Sequence, residues 1–418
     1  MPQGIDVQVP SLTSPGTEQL EADDVMALAR ESNDFLPDCR PSTWDGYGQH
    51  EGSAGAHPTS SRCCPHVTRW LFCDKEAIVL RTKLCELLQI DAPILLAPMG
   101  PEIAGLELAA AVSNAGGLGM ISFGGYPPAA LRDRIRRLRE LTSQPFAVNV
   151  LLDGPHLPFP ADALIQACIE ERVPVLSFFW GDPTTYVEQA HKAGIKVCDQ
   201  VGSVASAKRA RDAGVDFIIA QGVEAGGHIA GTVSTMVLTP RVVETVAPAP
   251  VVAAGGVADA RGLAAALALG ADGVVMGTRF IASAECNAHD VYKRKVLEAQ
   301  EEDTVRTTLF GNGWPNAWHR TLRTDFVRQW LPQEQRGSEQ RGDEPIIGEI
   351  TLGGMRMPLP RFGGIPPARD ATGDLESMDF LAGQSVGLVH GIKPAADIVR
   401  EVVQDAATIL RNAAQLSH

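Results

Sequence analysis

The sequence Asp216-Phe-Ile-Ile-Ala-Gln-Gly-Val-Glu-Ala-Gly-Gly-His228 joins an apolar run to a glycine-rich segment that ends in a histidine. Residues 217–220 are all apolar, which is typical of a strand that is buried on both faces. Gly226 and Gly227 allow backbone conformations that other residues avoid and a close approach to a ligand. His228 titrates near neutral pH. The pattern predicts a buried strand whose end faces a pocket, and a tight turn with a solvated histidine is the alternative.

The same alternation of strand and helix extends from residue 94 to residue 278. The predicted strands are 94–99, 118–123, 146–152, 173–179, 196–199, 217–220, 251–254 and 273–276. The predicted helices are 103–114, 131–141, 161–171, 185–193, 203–213, 240–246 and 259–269. Eight strands joined by helices favour an α/β fold of the closed (β/α)8 TIM barrel type over an open doubly wound sheet.

The segments on either side of the predicted barrel core, 94–285, differ from it in composition. Residues 1–80 contain clusters of Ser, Gly, Pro, Thr and His without periodicity, which predicts a largely disordered N-terminal extension with a short helix near 20–31. Residues 81–418 are predicted to form one domain. Its C-terminal part, 286–418, is predicted to add helices near 291–302 and 395–414, an irregular surface excursion over 333–367, and the segments 314–318 and 383–387, which are candidates to fold over the barrel mouth.

Charge and hydropathy exclude two classes of partner. The 418 residues carry a formal net charge of −14 without a basic stripe, which disfavours nucleic acid. No apolar run reaches the length that spans a bilayer, so no membrane partner is expected. Residues 1–30 lack the positive lead and apolar core of a secretory signal, which indicates a cytoplasmic location. The sequence leaves a homo-oligomer open.

The eight cysteines show no Cys-x-x-Cys pair. Cys63, Cys64, His66 and Cys73 lie close together in the sequence, but their spacing fits no common zinc pattern. We therefore expect free thiols and no metal site.

The seventh and eighth predicted strands both end in glycine. Gly255-Gly256 follows one strand and Gly277-Thr278 follows the other, at the two positions where TIM barrels commonly bind phosphate. Glycine exposes backbone N–H groups, Thr278 adds a hydroxyl group, and a following helix N-terminus favours an anion. Turns needed only for chain reversal are the alternative. No Gly-x-Gly-x-x-Gly follows the first strand, so a mononucleotide such as FMN fits better than a dinucleotide.

Three amides lie near the ends of other predicted strands: Asn149, Gln200 and Gln221. An amide donates and accepts hydrogen bonds at once, which matches the mixed pyrimidine edge of a flavin. Buried amides also hold loops together, so this second role remains open for each of them. The sequence therefore predicts a flavin site without assigning every contact.

His228 is the histidine that the sequence places at the barrel mouth. It is able to take a proton from a carbon next to an electron-withdrawing group, or to hydrogen-bond an anionic substrate. Glu224 either orients a loop or is solvated. Cys198 lies within a predicted buried strand, and no Ser-His-Asp set is present, so the sequence offers no convincing nucleophile.

Several of these motifs occur together in one known family. The matching segments are Ala97-Pro-Met-Gly100, Ala115-Gly-Gly-Leu-Gly119, Phe146-Ala-Val-Asn149, Ala220-Gln-Gly-Val-Glu-Ala-Gly-Gly-His228, Ala254-Gly-Gly-Val257, Met276-Gly-Thr-Arg-Phe280 and Gln384-Ser-Val-Gly387. With them the chain resembles the nitronate monooxygenases, formerly called 2-nitropropane dioxygenases. The resemblance covers residues 82–325 and resumes near 375–405.

The resemblance implies a flavoprotein that holds FMN non-covalently in a TIM barrel. It implies oxidation of alkyl nitronates, or of nitroalkanes, with dioxygen to a carbonyl compound and nitrite. His228 would be the catalytic residue, which deprotonates a neutral nitroalkane or holds the nitronate near the flavin. The FMN contacts would fall at Met99, Asn149, Gln200, Gln221, Gly226, Gly256, Gly277 and Thr278, with the phosphate at the last three.

The N-terminal extension and a charged insertion at 333–341 depart from the family pattern and leave the substrate range open. Two other functions therefore remain. One is an FMN-dependent NAD(P)H reductase of enoyl-ACP or quinones, because such enzymes share this barrel. The other is a non-catalytic barrel without flavin that binds a phosphorylated metabolite, since one fold hosts several functions.

Overall fold

The computed structural model describes residues 80–100, 102–122, 125–153, 159–339 and 341–416. Residues 1–79 of the predicted extension, including the helix near 20–31 and the four residues considered for zinc, lie outside this set. The predicted division into an extension and one domain therefore stays a prediction.

Fourteen strands are present in the described residues. They are β1 (Ile94–Leu96), β2 (Gly119–Ser122), β3 (Phe146–Leu151), β4 (Val175–Phe179), β5 (Lys196–Val201), β6 (Phe217–Gln221), β7 (Gly227–His228), β8 (Val251–Ala254), β9 (Gly273–Met276), β10 (Thr304–Thr307), β11 (His319–Leu322), β12 (Ile346–Leu352), β13 (Met355–Pro360) and β14 (Thr372–Gly373).

Thirteen α-helices lie between and after these strands in the same described ranges. They are α1 (Lys83–Leu88), α2 (Gly105–Asn114), α3 (Pro128–Leu141), α4 (Ala161–Glu170), α5 (Thr184–Lys192), α6 (Val204–Ala213), α7 (Thr235–Val246), α8 (Ala260–Ala268), α9 (Thr278–Ile281), α10 (Asp290–Glu298), α11 (Asp325–Trp330), α12 (Gln335–Ser338) and α13 (Ala395–Gln415). Among them, no helix is both long enough and apolar enough to cross a bilayer.

The eight predicted strands form one parallel sheet in the order β1-β9-β8-β6-β5-β4-β3-β2. Its two end strands meet, because Leu95 bridges Leu118 and the Leu96 N–H donates to the Leu118 carbonyl at 2.9 Å. The sheet is therefore closed, which confirms the (β/α)8 barrel. Strand and helix alternate in a single direction, so every barrel strand presents its C-terminal end at the same face.

Burial on both faces of the sheet explains why the sequences of the barrel strands are continuously apolar. Every residue of β4, β6, β8 and β9 is buried, since side chains fill the barrel interior on one face and helices cover the other. The predicted C-terminal helix is α13, and it packs against α8 and α2 on the outside of the barrel. The helical addition at the C-terminus is thus confirmed.

The helix predicted over 240–246 begins five residues earlier, at Thr235, and continues through Pro240. Proline inside a helix removes one hydrogen bond, but this helix has support at its start. The carboxylate of Glu224 accepts from the Thr235 N–H at 2.9 and 3.0 Å. Leu238 and Val242 are buried and fix the helix against the barrel.

The interpretation of residues 333–367 as irregular is wrong, whereas their placement at the surface agrees with β13, in which four of six residues are exposed. This segment contains β12 and β13, which form an antiparallel hairpin through a Gly353-Gly354 turn with φ of 60° and 80°. Two glycines with positive φ suit a two-residue hairpin turn. A second small sheet, in the order β10-β11-β7, joins the C-terminal part of the chain to the segment that carries His228.

Candidate active site

A cavity of about 320 Å³ lies at the C-terminal ends of the barrel strands. All nine residues that the sequence singled out as catalytic or cofactor-binding line it: Met99, Asn149, Gln200, Gln221, Gly226, His228, Gly256, Gly277 and Thr278. Segments that follow the barrel in sequence complete the wall, with Trp314, Leu352, Ile365, Leu381 and Gly383. Both segments considered as covers of the barrel mouth therefore reach the cavity.

His228 lies on the two-residue strand β7, opposite His319 of β11. Its imidazole is surrounded by aromatic rings, with centroid distances of 5.0 Å to Trp180, 5.5 Å to Trp314 and 5.9 Å to His319. Gly227 has a φ of 73°, which a larger residue would adopt only with strain. The glycine before the histidine is thus required to turn the chain into β7.

The His228 ring is held in its neutral form. Burial, and secondarily the nearby His319, lower the pKa of His228 from 6.5 to about 3, while the Trp318 backbone acts weakly in the opposite direction. Nδ1 is buried and has no hydrogen-bond partner among the described residues. His228 lines the cavity, and we take Nε2 as the ring nitrogen available to a ligand.

Gln221 and Glu224 position the loop that carries His228. The Gln221 amide donates to the His228 carbonyl at 2.9 Å and accepts from the Ala230 N–H at 3.2 Å. Of the two roles left open for this amide, the structure therefore shows the loop-holding one. Glu224 orients the loop and is not simply solvated, because its carboxylate accepts hydrogen bonds from the backbone N–H and the hydroxyl group of Thr235.

The glycine-ended strands lie beside each other at the cavity wall. Gly255 and Gly256 have φ of 99° and 74°, so glycine is needed at both positions. The helix that follows the first of these strands is α8, and two of its first-turn N–H groups are already occupied. The Asp259 side chain already accepts from the first-turn N–H groups of Arg261 and Gly262, at 2.9 and 3.4 Å, and its negative charge disfavours an anion there.

Asn149 and Gln200 enter the cavity from β3 and β5. The Asn149 amide donates to the Ser177 carbonyl at 3.2 Å, which leaves its own carbonyl oxygen to accept from a ligand. Thr278 accepts from the Gly383 N–H at 2.9 Å, so its hydroxyl hydrogen remains available for donation. The donors and acceptors of the cavity are thus neutral amides, hydroxyls and glycine backbone.

Other features at or near the cavity could not be predicted from the sequence. Trp180 adopts a φ of 58°, which is unusual for a bulky residue, and stacks on Phe179 at 4.7 Å. His319 is also buried, and it lies 91 positions after His228 in the sequence. Tyr292 lines the cavity and donates from its hydroxyl to the Leu381 carbonyl. Only Gly181, directly after Trp180, signalled a tight turn here.

Cysteine and metal chemistry find no support in the described ranges. Burial raises the pKa of the Cys198 thiol far above its ordinary value, so it is not a nucleophile at neutral pH. Cys85, Cys168, Cys198 and Cys286 are free and buried. No group of three or more His, Cys, Asp or Glu side chains among the described residues is arranged to hold a metal ion.

Comparison with known proteins identifies the family. Residues 81–405 match the profile of the nitronate monooxygenases. The (3aS,4S,5R,7aS)-5-hydroxy-7a-methyl-1-oxo-octahydro-1H-indene-4-carboxyl-CoA dehydrogenase of Mycobacterium tuberculosis is 32% identical over 368 residues, which are 81% of this chain and 99% of the relative. A probable nitronate monooxygenase of Staphylococcus saprophyticus is 36% identical over 314 residues, covering 65% of this chain and 86% of the relative.

Solved structures agree with this assignment. FabK from Thermotoga maritima superimposes with a TM-score of 0.67 at 38% sequence identity, over 81% of this chain and 99% of FabK. The chain therefore belongs to the nitronate monooxygenase family of flavin-dependent oxidoreductases.

Proposed function

We propose that this protein oxidises alkyl nitronates with dioxygen to a carbonyl compound and nitrite, with FMN as its cofactor. The family profile and the staphylococcal relative support this reaction. The observation that carries the proposal is the neutral, aromatic-walled His228 on the cavity surface, because a nitronate is a small anion with an apolar substituent. The aromatic rings suit the substituent, and the imidazole N–H suits the anionic oxygen.

The residues of the cavity fit FMN. Gly256, Gly277 and Thr278 offer backbone N–H groups and a hydroxyl to the phosphate, without a cationic side chain. Asn149 and Gln200 offer amides to the isoalloxazine ring, and Met99 lies next to Gly277, 3.7 Å from the point where a Cβ would stand. FMN supplies the electron acceptor that the oxidation requires and that amino acid side chains lack.

His228 acts in this proposal as a hydrogen-bond donor. A general-base histidine needs an acceptor for its second N–H, which appears on the ring when the base takes a proton. Nδ1 of His228 is buried without a hydrogen-bond partner among the described residues, and burial outweighs the Trp318 backbone group that favours the protonated ring, so protonation is unfavourable. The favoured form keeps the lone pair on Nδ1 and the proton on Nε2, where it donates to a nitronate oxygen. Nitronates are thus preferred over neutral nitroalkanes.

The first experiment records the visible spectrum of the purified protein and then mixes it anaerobically with propyl-2-nitronate. A yellow protein that is bleached by the nitronate, and that releases nitrite when air is admitted, supports the proposal. A yellow protein that is unaffected by nitronates refutes it. A colourless protein that takes up no FMN would instead favour the non-catalytic barrel that binds a phosphorylated metabolite.

A second candidate is a flavin-dependent reductase or dehydrogenase that works with NAD(P)H on thioesters or quinones. The mycobacterial relative, whose name specifies a carboxyl-CoA substrate, favours it because 99% of that protein aligns with this chain. Anaerobic addition of NADH, followed by an enoyl thioester, separates the two. Rapid bleaching by NADH with recovery on adding the thioester would replace the nitronate proposal.

A further inference from the structure

Three side chains from different parts of the chain form a row across the small sheet. In the register of β10, β11 and β7, Thr307 lies opposite His319, and His319 lies opposite His228. Neighbouring strands are about 5 Å apart, so the row connects the cavity wall to the interior of the C-terminal segment. We refer to Thr307, His319 and His228, together with Glu334 described below, as the histidine row.

His319 has a defined hydrogen-bonding state. Its Nδ1 lies 3.0 Å from the Ala317 carbonyl, which can only accept, so Nδ1 carries the proton and Nε2 carries the lone pair. Nε2 is buried and has no partner within the described residues. The ring packs edge-on against His228, with an interplanar angle of 83°. His319 is therefore a fixed, neutral imidazole beside the active-site histidine.

Glu334 provides a negative charge at the far end of the row. Its carboxylate accepts from the Thr307 hydroxyl at 2.6 Å and from the Thr308 N–H at 3.4 Å. The carboxylate attracts a proton toward His319, which lies on the strand next to Thr307, more strongly than toward His228, one strand further away. Two charged imidazoles whose rings are 5.9 Å apart would repel each other.

Of the charged or titratable groups, His319 is the one that acts electrostatically on His228, whereas Glu224 binds Thr235 and the buried Asp379 interacts with Thr321. Trp180 and Trp314 are uncharged, and the Gln221 amide binds the His228 carbonyl. Arg306 and Arg320 neighbour Thr307 and His319 in sequence, so their side chains project from the opposite face of the sheet. His319 is the titratable side chain whose ring packs against His228, at a centroid distance of 5.9 Å, and after burial it is the group that most disfavours a proton there.

We propose that His319 is a positioning residue for His228: the histidine row directs any proton taken up by the two imidazoles to His319, which keeps His228 a neutral hydrogen-bond donor. The inference rests on the proposed role of His228 in nitronate oxidation. The directions of the pKa shifts agree with this: burial lowers the pKa of both rings, and the Ala317 carbonyl and the Glu334 charge act in the opposite direction at His319.

The test follows imidazole protonation by NMR of the flavin-loaded protein labelled with ¹⁵N-histidine, between pH 4 and pH 8. We expect His319 to become protonated before His228 as the pH falls. In His319→Phe, which keeps a planar ring but removes the charge, His228 should titrate about one pH unit or more higher. In Glu334→Gln, which keeps an acceptor for Thr307, the His319 titration should move to lower pH. The titration is therefore extended down to about pH 2.5 for each protein, as far as the near-ultraviolet circular dichroism shows that it stays folded.

Glu339→Gln is the matched control, because Glu339 is exposed and, among the described residues, forms its ion pair with Arg341. It should leave both titrations unchanged. His228 titrating at the same pH in His319→Phe as in the unmodified protein would overturn the proposal, as would protonation of His228 before His319. If His319→Phe does not fold, the test depends on Glu334→Gln. In that case, a His319 that becomes protonated at the same pH in Glu334→Gln as in the unmodified protein overturns the proposal.

A kinetic readout separates this proposal from the function on which it rests. The acid limb of kcat/KM for propyl-2-nitronate should move to higher pH in His319→Phe, with little change at pH 8. If the protein does not oxidise nitronates, the proposed function fails, but the NMR titrations still report where the proton goes.

Discussion

Replacing His228 distinguishes a hydrogen-bond donor from a general base. His228→Gln retains an N–H donor at about the position of Nε2, whereas His228→Leu retains the bulk and removes every donor. Nδ1 has no acceptor, so we expect His228→Gln to keep most of the nitronate activity. We expect His228→Leu to lose it.

The magnitude follows from the pKa of His228. A fall from 6.5 to about 3 makes protonation of this ring costlier by at most about 5 kcal/mol, since each pKa unit is about 1.4 kcal/mol and water in the cavity reduces the penalty. Proton abstraction from a neutral nitroalkane bears this cost, whereas donation to a preformed nitronate does not. Loss of one such donor typically lowers the rate by about 10²- to 10³-fold.

The assay compares dioxygen consumption with propyl-2-nitronate and with neutral 2-nitropropane at the same pH. The unmodified protein should prefer the nitronate by about 100-fold or more. His228→Gln should stay within about tenfold of it on the nitronate, and His228→Leu should fall by about 10²- to 10³-fold. Equal rates on both substrates, with His228→Gln impaired only on 2-nitropropane, would show that His228 is a base and refute this reasoning.

Three further predictions concern residues around the cavity. Burial raises the pKa of Asp379 to about 8, so the free energy of unfolding should fall by about 1.4 kcal/mol per pH unit from about pH 4 to pH 8 on account of this group. The thermal midpoint of Asp379→Asn should therefore exceed that of the unmodified protein by a margin that grows from pH 5 to pH 8; a constant margin contradicts this. A Cβ on Gly226 would lie 2.5 Å from the Gly383 nitrogen, so Gly226→Ala should weaken FMN binding and cost about 1–3 kcal/mol of stability. Flavin fluorescence quenching and thermal unfolding measure the two effects. Gly391→Ala, where a Cβ meets nothing within 4 Å, should change neither. Leu352→Ala should raise kcat/KM for a bulkier nitronate about tenfold relative to propyl-2-nitronate, and an unchanged ratio would exclude Leu352 from substrate selection.

Local sequence patterns were sufficient to predict the barrel, and together with the family resemblance they predicted the part of the cavity lining that comes from the barrel. Apolar runs of strand length, each ending in glycine or an amide, locate the strand ends, and closure of the barrel then brings those ends together. The partner of His228 could not be predicted in this way. His319 reaches it through the register of β11 against β7, and register between strands 91 positions apart leaves no local pattern.

Two other differences have similar causes. The start of α7 depends on a carboxylate from the preceding loop, Glu224, rather than on the residues of the helix itself. The hairpin of β12 and β13 was hidden because glycine and proline, which usually interrupt strands, occur within and beside it. The role of Gln221 was also ambiguous in sequence, since a buried amide can hold either a loop or a ligand.

The cavity is divided between two parts of the chain, and this division bears on how proteins of this fold evolve new substrate specificity. The proposed FMN contacts all precede residue 285, whereas Trp314, Leu352, Ile365 and Leu381 all follow it. A single recombination event near residue 285 would therefore exchange the entire outer wall while retaining the inner one. New substrates can be acquired by inheriting a different second half, with Gly226 and Gly383, whose backbones touch, as the junction that must remain compatible.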